Sequence, residues 1–439
     1  MVPHITIKKI LFASTFLMHM VACAQKGNSS ITVKEVTHIE TTLASDSMQG
    51  RKPGTRGNEK AAQFIANQFK RAGLQPLKGT SYLQQFAMVR PKPVHISGTA
   101  DGIAISPGQL LAVSFQPHLQ VTEGSGYNIT HINKDENLYQ RIRLLMHEKQ
   151  NQIVVIDSGF AAAFMQLAQL QRPVFEEEVQ AHTTSTIFVL GTFNPQHFVF
   201  DVQQELERVT FSNVVGVLPG TTKKEEQVIF SAHYDHLGIG PPQAGDSIYN
   251  GANDDASGTT AVVLLAKYFK ELHSNARTLV FAAFTAEEMG GLGSQYFSQQ
   301  MNPEKVVAMF NIEMIGTESK WGRNSAYITG FDKTNMGTIL QKNLEGSGFT
   351  FYPDPYPQQQ LFYRSDNATL ARLGVPAHTI STSKMDSEPN YHKASDEVKT
   401  LDLPNMTEII KAIAESSKTI VSGADAPTRV QTDRLSNKP

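Results

Sequence analysis

The chain has 439 residues, more than one ordinary domain holds, so two domains are expected, each long enough to bury a substantial core. Its 39 Lys and Arg against 41 Asp and Glu leave a formal charge of -2 with the basic residues scattered, which excludes the electrostatic footprint of a nucleic-acid binder. A single cysteine, Cys23, excludes a disulfide-stapled fold.

In Met1 to Ala24, Lys8 and Lys9 precede an apolar stretch from Ile10 to Ala22 that Ser14, Thr15 and His19 interrupt. It is too short to span a bilayer and reads as an export signal, so the expected location is periplasmic, outer-membrane-anchored or secreted. The sequence MVAC resembles a bacterial lipoprotein cleavage site, in which Cys23 becomes the lipidated membrane anchor. Ordinary cleavage after Ala24 is the competing reading, and both stay open here. From 25 to 87, Ile39 and Leu43, then Ala61, Phe64, Ile65 and Phe69, fit two amphipathic helices around the Gly- and Pro-broken link GRKPGTRG. Arg51 and Arg56 in that link read as surface residues. From 88 to 209, short β-rich runs (HISGTADGIAIS, NQIVVIDS, TSTIFVL) alternate with breaks and one helical stretch, FAAAFMQLAQL. No His or carboxylate cluster there has ligand spacing, so this part reads as a smaller β-rich inserted domain.

From 210 to 422 strands alternate with helices, which predicts an α/β fold with a mostly parallel central sheet flanked by helices and ligands at the carboxyl ends of the strands. QVIFSA is a strand, and His233 and Asp235 follow it at i, i+2, on one side of an extended segment. A ligating His donates its other ring N–H to a carboxylate or carbonyl, so His233 is assigned to a metal and Asp235 to orienting it. Asp254 and Asp255 lead into ASGTTAVVLLAKYFKEL, whose apolar positions recur at helical spacing, so the pair lies at a helix N-terminus. Capping needs one Asp, and the other can bridge two cations. Glu287 and Glu288 end the buried strand RTLVFAAFT, where adjacent carboxylates repel unless a cation lies beside them. In an extended segment they point opposite ways, so that one ligates and the other faces a reacting water. VVAMFNIEM is a further buried strand that delivers Glu313, His378 reads as a satisfied core histidine, and the tail 423–439 reads as polar and disordered.

The order His-x-Asp, Asp-Asp-x-Ser-Gly, Glu-Glu, the acidic residue in FNIEMIG and the His in NYHKASD resembles the co-catalytic zinc aminopeptidase family. That family includes bacterial leucyl aminopeptidases and, more distantly, glutamate carboxypeptidase, glutaminyl cyclase and the transferrin receptor. The resemblance implies two Zn2+ ions, one held by His233 and Glu313, the other by Glu288 and His392, with Asp254 bridging. It implies Glu287 as general base in the hydrolysis of N-terminal residues from peptides, and Asp235 as the residue orienting His233. Asp396 is expected near His392, Asp255 in a supporting place, and Tyr391 near the oxyanion. It also implies that 88–209 is a divergent protease-associated-type insertion. Many members have Asp where this chain has Glu313, and Ser-Asp-His where it has Ser365-Asp366-Asn367. A carboxypeptidase or dipeptidase on the same metals would need a cation for the substrate carboxylate, with Arg323 or Arg364 as candidates. A transferrin-receptor-like binding module would show broken ligand positions, whereas all five are filled by ligating types. Oligomeric state stays open.

Overall fold

The structure, a computed structural model, describes residues 30–170 and 173–435. The expected export signal and Cys23 lie outside the described residues. The chain divides into two compact units, one of Met1–Gln85 with Phe211–Pro439 and one of Phe86–Thr210.

The first unit is built on seven strands, β1 (Phe198–Leu218, through its last residues), β2 (Lys223–His233), β3 (Arg277–Phe284), β4 (Val306–Ile312), β5 (Ser325–Ile328), β6 (Thr350–Pro353) and β7 (Ala377–Ser381). Their order is β6-β5-β7-β4-β2-β3-β1. Strands β3, β2, β4 and β7 are mutually parallel, while β1 joins β3 and β5 joins β7 antiparallel. The sheet is therefore mixed, with its parallel part in the middle.

Both faces of that middle are covered, and the period-2 alternation of each strand sorts its side chains between them. Val228, Phe230 and Ala232 of β2 and Leu279, Phe281 and Ala283 of β3 face one apolar core. Ile229, Val280, Ala282 and Phe284 face the other. The first core is roofed by α1 (Val33–Leu43), α2 (Arg56–Arg71), α3 (Ser257–Leu272) and α4 (Leu403–Ser416). Thr32 and Thr55 cap α1 and α2, each accepting from a backbone N–H of the first turn, and Asp402 does the same for α4. At the centre, Phe230 stacks on Phe281 at 5.5 Å and on Phe310 at 4.9 Å, and Phe269 of α3 covers it at 5.4 Å. The register pairs Phe230 with Phe281 on one side and Phe310 on the other, so one aromatic row crosses three parallel strands.

The tail from 423, which reads as disordered, is packed as far as Leu435. Val430 is buried against the second core, and Arg429 Nη1 donates to the carbonyls of Pro303 and Val306. One apolar residue and one multidentate side chain outweigh the polar composition of their neighbours.

The second unit carries a four-stranded sheet in the order Leu110–Val113, Thr186–Leu190, Gln152–Ile156 and Asn128–Ile132, the last three parallel. The helix Leu138–His147 and Phe164 cover one face, while Phe193, Phe198 and Phe200 close the other. Among the described residues no helix is long and apolar enough to cross a membrane.

Truncating Phe230 removes the middle of the aromatic row. Phe230→Ala is expected to lower the unfolding free energy by about 3–5 kcal/mol in urea titration; a loss within the scatter of a surface substitution would refute the row as the centre of the core.

Candidate metal centre

Strand β2 ends at His233, with Phe284 of β3 opposite it, and Ser231 two residues earlier lies opposite Asn311 of β4. Because these strands are parallel, the residues that follow them leave the same edge of the sheet. His233 to His236, Glu287-Glu288 and Glu313 therefore arrive together. Asp254 and Asp255 come from the turn Ala252–Ala256 in front of α3, with a cis peptide between them, and Tyr391 and His392 from the loop after β7.

Asp254 is central. Its Oδ1 is 3.2 Å from His233 Nε2 and its Oδ2 3.3 Å from His392 Nε2. Glu288 lies between two imidazoles, its Oε1 2.8 Å from His236 Nδ1 and its Oε2 3.1 Å from His392 Nε2. Glu287 and Glu313 line, with Asp254 and His392, a cavity of about 50 Å³. Tyr391 lines it too and stacks on His392 at 3.9 Å between ring centroids. Tyr327, Leu361 and Met385 add a less polar part to the lining, and Arg364 also lines the cavity.

A second layer of carboxylates grips backbone amides. Asp235 accepts from the N–H groups of Glu287 (3.1 Å) and Glu288 (3.3 Å), and its Oδ1 is 3.6 Å from His233 Nδ1. The His233 ring N is closer to the Asp235 carbonyl, at 3.2 Å, so Asp235 orients the imidazole through both its main chain and its side chain. Asp255 accepts from the N–H groups of Gly258, Met314 and His233, tying the start of α3 to the ends of β4 and β2. Asp396 accepts from the N–H groups of Asn253 (2.8 Å) and Asp254 (3.0 Å). It thus supports the turn that carries Asp254, the carboxylate that faces His392.

Four further differences follow. The Glu287-Glu288 pair lies in a turn rather than an extended segment: Ala286 has φ +59°, and the Glu287 carbonyl accepts from Gly290 and Gly291. The glycines after the pair supply that turn. Arg51 is fully buried, not on the surface. His236 escaped notice, although the second His in HYDH, three residues after the first, was the available signal. Asn367, where the resemblance implied His, is buried and donates to the carbonyls of Phe362 and Ala377 while accepting from Thr379 Oγ1, which is a structural duty.

The charges in this site are out of balance. Burial pushes the Glu287 carboxyl well above its ordinary value and Glu313 up to about 7, with neighbouring carboxylates adding to each. Burial also raises Asp255 strongly, and Asp366 and Asp396 to about 6. For His392 burial acts downward, but hydrogen bonds to Asp254 and Glu288 outweigh it and hold the imidazole at about 10. His233 is raised in the same way, against burial, by Asp235 and Asp254. Carboxylates that must take up protons, and imidazoles that must keep them, mark a place short of positive charge.

A divalent cation fits this shortage. Among the described residues His236 Nε2 and Glu313 Oε2 are buried without a hydrogen-bond partner, and such atoms are costly unless something binds them. Ligand atoms of His236, Asp254 and Glu288 lie within 4.8 Å of one another. Imidazole nitrogens with carboxylate oxygens are the donors zinc accepts. Around Glu288 two imidazoles are available, His392 and His236, where the sequence reading had one.

The comparisons with known proteins agree with this chemistry. Residues 213–417 match the model of Peptidase family M28. A probable leucine aminopeptidase of Trichophyton verrucosum (strain HKI 0517) is 30% identical over 209 residues, 45% of this chain and 54% of that protein. Aminopeptidase YwaD of Bacillus subtilis (strain 168) is 32% identical over 112 residues, 25% of this chain and 22% of that protein. The chain spans about half the length of the leucine aminopeptidases it matches. Among solved structures, an aminopeptidase from Aneurinibacillus sp. strain AM-1 aligns over 94% of this chain and 98% of its own, with a TM-score of 0.55 at 17% identity. A zinc aminopeptidase from Bacillus subtilis aligns over 90% and 97%, with a TM-score of 0.55 at 15% identity. At such identities the likeness concerns the fold, a large mixed sheet flanked by helices. His233, Asp254, Glu287, Glu288, Glu313 and His392 all lie within the stretch that matches Peptidase family M28.

Proposed function

We propose that the protein is a zinc aminopeptidase that hydrolyses N-terminal residues from peptides. The observation that supports this reading is that Asp254, Glu313 and His392 line one cavity with Glu287, while His233 lies 3.2 Å from Asp254 and Glu288 3.1 Å from His392. Two zinc ions, one on His233 and Glu313, one on Glu288 and His392, with Asp254 between, would polarise the scissile carbonyl and bring the pKa of a water toward neutrality. The Glu287 carboxylate takes the proton of the attacking water and returns it to the leaving amine. Asp235 keeps that carboxylate in place through the Glu287 and Glu288 amides and fixes the His233 ring. The Tyr391 hydroxyl, at the cavity wall, donates to the oxyanion. Tyr327, Leu361 and Met385 exclude water around the bound residue. We also propose export, from the character of Met1 to Ala24, with Cys23 as the lipidated anchor if cleavage follows the lipoprotein pattern.

A dipeptidase or carboxypeptidase reading has one observation in its favour. Arg364 lines the cavity and among the described residues forms no ion pair, its guanidinium bonding only Gln359 Oε1 at 3.1 Å. Arg323, the other candidate, is engaged by Asp402 at 3.1 Å.

Three outcomes are expected. Glu287→Gln should retain two equivalents of zinc by metal analysis and lose about 10²–10⁴-fold in kcat on an aminoacyl-anilide; a variant that kept most of its turnover would remove Glu287 from the role of base. Zinc must displace protons held by His233 and by His392, whose pKa is about 10, so affinity should rise with pH through neutrality and calorimetric heats should depend on the buffer's ionisation enthalpy. Heats independent of the buffer would contradict the charge assignment. If Arg364 holds a substrate carboxylate, Arg364→Ala should raise KM for a free dipeptide about tenfold and leave an aminoacyl-anilide unaffected. Equal effects on both substrates would leave aminopeptidase activity as the sole reading.

A further inference from the structure

The link GRKPGTRG has no place in the chemistry above, yet it holds the largest side chain among the fully buried ones, Arg51. A guanidinium withdrawn from water costs several kcal/mol unless it is hydrogen-bonded or paired. Arg51 forms no ion pair among the described residues, and its donors go to main-chain carbonyls instead. Nε donates to the Tyr234 carbonyl at 2.7 Å, Nη2 to that of Gly251 at 2.8 Å, and Nη1 to those of Leu43 (2.9 Å) and Asn250. Tyr234 lies between His233 and Asp235, while Gly251 stands three residues before Asp254. One side chain therefore spans the two loops that deliver the proposed bridging carboxylate and the first imidazole, and also holds the end of α1.

The main chain of Arg51 is tied to the same loops. Its carbonyl accepts from the N–H of His236 at 3.4 Å and from Asn58 Nδ2 at 2.9 Å. Its φ is +51°, a left-handed conformation that residues with a side chain seldom adopt, so the surrounding bonds hold it there. Gly50 before it has φ +63°, and a Cβ there would lie 2.4 Å from the Tyr249 carbonyl oxygen and 2.6 Å from that of Gly238. At Gly50 the link is thus fitted closely against the main chain of Tyr249 and Gly238. Lysine could supply the charge, but not a planar fork that reaches several carbonyls at once.

We infer that Arg51 is a positioning residue for the metal centre: its guanidinium sets the spacing between the His233–His236 loop and the Asp254 turn, and so the affinity and geometry of the cation site. This rests on the metal-site reading proposed above. Its reach is to the carbonyls that carry the ligands, and it does not touch substrate.

The test uses the full chain, stripped of metal and titrated with Co(II) against a competing chelator, with the visible absorption of the bound cobalt recorded. Arg51→Lys is compared with the parent protein and with Arg56→Ala, an exposed arginine of the same link. The expected result is a folded Arg51→Lys protein that binds Co(II) at least tenfold more weakly with an altered visible band, while Arg56→Ala matches the parent. A folded Arg51→Lys protein with parental affinity and band overturns the inference and leaves the metal-site reading intact; a parent that binds no Co(II) overturns both. Should Arg51→Lys not fold, Asn58→Ala, which removes one bond to the Arg51 carbonyl, carries the same test. Weakening of several-fold supports the inference, and parental affinity overturns it.

Discussion

The constraint on which this structure turns is the need to keep many carboxylates together, away from water, at one edge of a sheet. Asp235, Asp254, Asp255 and Asp396 are buried, and Glu287 and Glu313 open onto the cavity that Asp254 also lines. Such a cluster is tolerable only with compensating positive charge. Within the chain the candidates to supply it are the His233 and His392 imidazoles, whose pKa values the neighbouring carboxylates raise, and the buried Arg51. The remainder appears as raised carboxyl pKa values at Glu287, Glu313 and Asp255. Divalent cations would relieve all of these at once, and among the described residues the buried His236 Nε2 and Glu313 Oε2 have no hydrogen-bond partner.

The carboxylates divide by what they hold. Asp254 and Glu288 face imidazoles, whereas Asp235, Asp255 and Asp396 accept from backbone N–H groups of the loops that carry those residues. A charged acceptor on a main-chain donor is among the stronger hydrogen bonds available, so these three fix loop positions that apolar packing alone leaves soft. Arg51 does the converse, a cation holding carbonyls. The loops are thus held from both polarities, which suits a site whose groups must keep their spacing to within a fraction of an ångström.

The parallel middle of the sheet makes the convergence possible. Strands β2, β3 and β4 end level with one another, and each carries its acidic or imidazole residue just beyond its last apolar position. The row Phe281, Phe230 and Phe310 across them is the rigid support beneath that edge.

Much of this was legible in the linear text. Apolar runs that are buried on both faces announce parallel strands, and clusters such as HYD, NDDASG and EE directly after them can only lie at the strand ends. The sequence by itself therefore determined the α/β class and the set of candidate ligands, because hydrophobic periodicity and residue chemistry are local properties. Only the tertiary structure decided what depends on distant partners. His236 meets Glu288 across 52 residues, Asp396 supports Asp254 across 142, and Arg51 reaches Asn250 and Gly251 across about 200. Arginine in a Gly- and Pro-rich link reads as surface because a lone charge is costly to bury, and nothing nearby in sequence reveals the four carbonyls that make burial tolerable. The tail up to Leu435 reads as disordered for the same reason, since what orders it is a core built from strands at least fifty residues earlier.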